Sequence, residues 1–160
     1  MSELWNWRVD EQVPAVEIYV ALADVLGVTV LPLGGTEPGR VPAGAVLCEV
    51  WRAPGEFPIS VDCYGVPAGH DEVSAAAVFS RRLGRACLLT DDTLDPGRRL
   101  LVSPEGTIRA VHFDVRDSDD GEILLNQRLC SAVRPRCQDW SWCASSRFAP
   151  DRVVPALMPA

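Results

Sequence analysis

The chain has 160 residues, 48% apolar and 23% charged, which suits one domain with a real core and excludes a disordered or low-complexity protein. All fifteen cations are arginine; against 22 acidic residues they leave a net charge of −7, which argues against binding a phosphate backbone as the main activity. The first residues carry Glu3 and no basic run leading into an apolar stretch, and no apolar segment approaches the roughly 20 residues that span a bilayer. The expectation is a cytoplasmic protein, away from membrane and nucleic acid, with Cys48, Cys63, Cys87, Cys130, Cys137 and Cys143 reduced.

Leu4 to Val9 reads as a first strand. Pro14 to Leu26 then reads as a helix with a wide buried face, because Glu17 and Asp24 lie seven apart on one side and Gly27 offers a C-terminal stop. Val28 to Leu33 and Ala45 to Arg52 are expected strands. Phe57 to Tyr64 alternates apolar and polar residues and pairs with Ala45 to Arg52 through Ala53-Pro54-Gly55. Asp71 can cap a second helix to Leu83, whose Val73, Ala76, Phe79 and Leu83 make a stripe before Gly84. Ala86 to Leu89, Arg98 to Val102 and Thr107 to Val115 complete the strands, the last two joined at Ser103-Pro104-Glu105-Gly106.

Leu26-Gly27 with Pro38-Gly39-Arg40 recurs as Leu83-Gly84 with Pro96-Gly97-Arg98, which suggests two strand-helix-strand-strand repeats, 1–56 and 57–115. The predicted fold is α+β: a largely antiparallel sheet with both helices on one face. Residues 116–160 are read separately, as an acidic loop over 117–122, a segment Ile123 to Val133 that could be helix or strand, and a C-terminal tail packed on the domain. Eight acids against three arginines over 1–57, and eight against six over 58–115, place the acidity before the neutral remainder.

No motif names a reaction. Gly-x-Ser-x-Gly elbows and phosphate-binding glycine loops are absent, and His70 and His112 are the only imidazoles, with His112 expected on an exposed strand face. Cys63 with His70 is conceivable as a nucleophile and base, but neighbourhood in sequence does not set catalytic geometry. Cys130, Cys137 and Cys143 are spaced by six and five residues, without the tight knuckle or local fourth ligand of a zinc motif, so no metal, cofactor or catalytic residue is assigned. Cys48, Cys63 and Cys87 read as small core residues. The remaining candidates are contact residues for a protein partner: Asp91 and Asp92 in one loop, Asp117, Asp119, Asp120 and Glu122 in another, and Trp140 and Trp142 as aromatic anchors near arginines in the tail.

The stretch RRLGRACLLTDD followed by DPGRRLLVSPEGTIRAVHFD, within Ser80 to Asp114, is similar to segments of small actinobacterial proteins that resemble immunity proteins encoded beside secreted toxins. The resemblance implies a non-enzymatic cytosolic inhibitor of a basic toxin domain, such as a nuclease, and assigns no residue a role. The alternative is a small-molecule or metal-binding protein or enzyme that uses the hollow of a concave sheet and needs polar residues on the face away from the helices.

Overall fold

The computed structural model describes residues 2–91, 95–131, 143, 146–149 and 151–155. Among them nine strands form one sheet: β1 (Ser2–Val9), β2 (Val30–Pro32), β3 (Val46–Arg52), β4 (Ile59–Pro67), β5 (Cys87–Thr90), β6 (Arg98–Val102), β7 (Thr107–Ser118), β8 (Gly121–Leu129) and β9 (Val154–Pro155). Helices α1 (Ala15–Leu26) and α2 (Glu72–Leu83) follow β1 and β4. Strand order is β2-β3-β4-β1-β5-β6-β7-β8, with β9 beside the start of β7, and every pairing except β2 with β3 is antiparallel.

Both helices form where their caps predict. Asp71 accepts the Ser74 N–H at 3.0 Å and its hydroxyl at 2.6 Å, satisfying the first turn of α2, while Gly27 and Gly84 end the helices at φ 67° and 69°, where a Cβ would be strained. Ile18, Ala21, Leu22 and Leu26 of α1, and Ala75, Ala76 and Phe79 of α2, join Trp7, Val61, Leu89 and Ile108 in one core. The buried face of α1 is narrower than expected, since Val16 and Val20 stay 64% and 57% exposed. The small alanines of α2 bring its axis close enough for Phe79 to meet the Trp7 ring at 5.2 Å.

Strand alternation sends Leu88, Val111, Phe113 and Leu124 into a second core on the opposite face, where Phe57 joins them from just before β4, at φ 55°, and not on the face of Ile59 as its alternation predicted. Polar residues line that face too, including Asn6, Asp62 and Arg8, whose guanidinium lies over the Trp51 ring. The β3–β4 turn reaches over this face: Gly55 bridges Leu124, and the Glu56 N–H bonds the Leu124 carbonyl at 2.9 Å, so the turn meets β8.

Two sequence expectations change. The strand-helix-strand-strand units share element order but differ in winding, because β2 and β3 run parallel whereas β5 and β6 run antiparallel. The expected division at residue 115 falls inside β7, and Ile123 to Leu129 is strand; the acidic loop is thus the tip of a β7–β8 hairpin that continues the sheet.

Candidate functional site

Alternation along β7 puts Ile108, Ala110 and His112 on the helix-bearing face. His112, expected to be exposed, is 6% exposed, because the segment after β8 folds back over this part of the sheet. The fold-back is fixed by backbone bonds. The Cys130 N–H donates to the Ala110 carbonyl at 3.2 Å, the Asp151 N–H to the Cys130 carbonyl at 2.8 Å, and β9 pairs with Thr107 and Ile108. Phe148, 4% exposed, adds an apolar anchor.

Under this cover three side chains from distant parts of the chain converge. One ligand-type atom from each of His112, Cys130 and Cys143 lies within 4.8 Å of the other two, and all three residues are buried. His112 Nε2 is 3.5 Å from Cys143 Sγ, while its Nδ1 is 2.9 Å from Asp95 Oδ2. Asp95 reaches that position through a tight turn: its Oδ1 accepts the Gly97 N–H at 2.9 Å, and the Phe113 N–H bonds the Gly97 carbonyl at 2.8 Å. A Cβ on Gly97 would overlap the Phe113 carbonyl, so glycine is what lets this loop lie against β7.

Arg98, on the same face of β6, is the electrostatic centre of the cover. Its side chain is fully buried and pairs with Asp91, the Phe148 carbonyl and, at 2.9 Å, the Ser146 hydroxyl; Nη2 stands 3.5 Å from Cys130 Sγ. One guanidinium thereby ties the β5–β6 loop, the end of β8 and the C-terminal segment together.

The sequence candidates fare unevenly. Asp91 is not a surface contact: its carboxylate is 7% exposed and turned onto Arg98, so a buried cation claims the charge. Glu122 is half-buried, 3.5 Å from Arg99, and its carbonyl accepts from Arg8 at 2.8 Å. Asp117, Asp119 and Asp120 stand exposed at the hairpin tip, and no cation among the described residues pairs with them. Asp92, Trp140, Trp142 and Cys137 lie outside the described residues.

Cys63 and His70 do not form a reactive pair. Cys63 sits opposite Cys48 in the β3–β4 register, and a hydrogen bond to Cys48 together with burial pushes its thiol pKa far up, while His70 turns its ring edge-on to Trp5. Cys87, fully buried in β5, is likewise pushed up by desolvation. Sequence reasoning missed the His112, Cys130 and Cys143 cluster because it sought a local fourth ligand. The signal it held was the cysteine series itself, but the imidazole comes from β7, eighteen residues before Cys130. No protein-family model, curated protein or solved structure matches the chain.

Proposed function

We propose that the protein is a binding module rather than an enzyme, and that the tip of the β7–β8 hairpin meets a basic protein partner. The observation that carries this reading is the set of exposed carboxylates at Asp117, Asp119 and Asp120, which have no cationic partner among the described residues. Exposed like charges at one tip steer a cationic surface toward it and raise the association rate, the more so at low salt. Burial of the one Cys, His and Asp alignment among the described residues supports the non-enzymatic half of the reading, since Cys143 is 0% exposed.

The finer reading follows the sequence resemblance: an immunity-type inhibitor of a cationic toxin such as a nuclease, acting in the cytoplasm. Co-expression with any secreted-toxin domain that a neighbouring gene encodes is the test. Growth protection together with a complex recovered from the cells is the expected result. A toxin that still kills, with no complex formed, overturns the reading.

A further inference from the structure

We propose that His112, Cys130 and Cys143 hold a zinc ion that fastens the C-terminal segment to the sheet. This inference does not depend on the partner reading and concerns a different face of the molecule.

The first support is donor chemistry. Two sulfurs and an imidazole nitrogen drawn from three segments lie within 4.8 Å of one another in a buried site, and this soft and borderline set is the one zinc selects. Geometry is the second. Zinc ligands at about 2.3 Å for sulfur and about 2.0 Å for nitrogen, at the tetrahedral angle, stand about 3.5 Å apart. Cys143 Sγ and His112 Nε2 are 3.5 Å apart.

The third support is the surrounding shell. A ligating histidine gives its other ring nitrogen to a carboxylate, which fixes the tautomer and the ring orientation; Asp95 Oδ2 is 2.9 Å from Nδ1, leaving Nε2 to face the sulfurs. Arg98 Nη2 at 3.5 Å from Cys130 Sγ supplies the N–H···S contact that steadies a bound thiolate.

The same atoms could be lined up as nucleophile, base and orienting acid, with Cys143 attacking. Two features favour the metal. A nucleophile needs access, and Cys143 is fully buried. A catalytic line has no use for a second sulfur beside the imidazole, whereas Cys130 gives a metal its third donor. The ligands also explain the fold-back: Cys130 directly follows β8, Cys143 lies in the returning segment and His112 is in β7, so one ion adds to the backbone bonds that, among the described residues, hold the segment at Cys130, Asp151 and β9.

The test uses the full chain, purified under reducing conditions from zinc-supplemented cells. Metal analysis is expected to find one zinc per chain, and X-ray absorption of that protein to find sulfur and imidazole donors. Cobalt exchanged into the site is expected to give thiolate charge-transfer bands that are lost in His112→Asn and Cys143→Ser, while Cys87→Ser, outside the cluster, keeps full occupancy. Four results overturn the proposal: metal-free protein that takes up no cobalt, ligation by oxygen and nitrogen alone, unchanged occupancy in both cluster variants, or metal-free folded protein whose Cys143 reacts rapidly with an alkylating agent. The absorption measurement on the unaltered chain keeps the test decisive if a variant fails to fold.

Discussion

His112 Nδ1 lies 2.9 Å from Asp95 Oδ2, and this contact fixes which nitrogen of the ring turns toward the two sulfurs. Asp95 spends its other oxygen on the Gly97 N–H. Asp95→Asn leaves one acceptor where two are needed, and turns an NH2 group toward one of the two donors. Loss of such a carboxylate partner weakens metal affinity about 10- to 100-fold. Competition against a chromophoric chelator is expected to show a loss of that size, with the variant still folded by circular dichroism; unchanged affinity would show that Asp95 only shapes the loop.

Arg98→Met removes a fully buried cation and takes its ion-pair partner from the Asp91 carboxylate, which is 7% exposed. Breaking a buried pair from one side costs about 3–5 kcal/mol, because the remaining charge stays desolvated. Urea unfolding is expected to show a loss of that order. A loss under about 1 kcal/mol, as for an exposed pair, would contradict the buried pairing.

Asp71 caps α2 through Ser74, whose hydroxyl hydrogen bond is the main reason the Asp71 carboxyl titrates below its ordinary value. A depressed folded value means the cap contributes above the unfolded pKa of about 3.9 and fades as pH falls through the folded value. Asp71→Ala is therefore expected to cost about 1 kcal/mol at neutral pH and close to nothing in strong acid. Denaturant midpoints of the two proteins should converge as pH is lowered; a gap that persists in acid would rule out the charged cap.

Gly121 stands at the base of the acidic tip with φ 105°, and a Cβ there would come within 2.5 Å and 2.9 Å of two Trp51 ring atoms. Gly121→Ala combines a strained backbone with an aromatic collision, and is expected to cost about 1–3 kcal/mol and to shift tryptophan emission as the ring is displaced. Unaltered stability and emission would mean that the hairpin does not rest on Trp51.

Much of the fold was legible in sequence because its signals are local. Asp71, Gly27 and Gly84 mark helix ends by backbone chemistry alone, and the alternation from Ile59 to Tyr64 reports a strand with an apolar face without knowledge of its neighbour, whereas Phe57, read as its first residue, precedes the strand and enters the opposite core. Arg98 to Val102 is the strand foreseen, to the residue. What was hidden depends on the return of the chain. His112 looked exposed because nothing near it in sequence covers it; the cover comes from residues beyond Cys130. Asp91 looked solvated for the same reason, since Arg98, Ser146 and Phe148 meet only in the folded molecule. The parallel pairing of β2 with β3 was equally invisible, as three residues carry no orientation signal.

Isothermal titration of the full chain with basic protein domains encoded by its neighbouring genes tests the proposed hairpin contact most directly. A complex is expected that weakens about tenfold or more as salt rises from about 0.05 M to about 0.5 M, and that weakens comparably when Asp117, Asp119 and Asp120 are together replaced by asparagine. No complex, or a complex indifferent both to salt and to the loss of the three carboxylates, would contradict it.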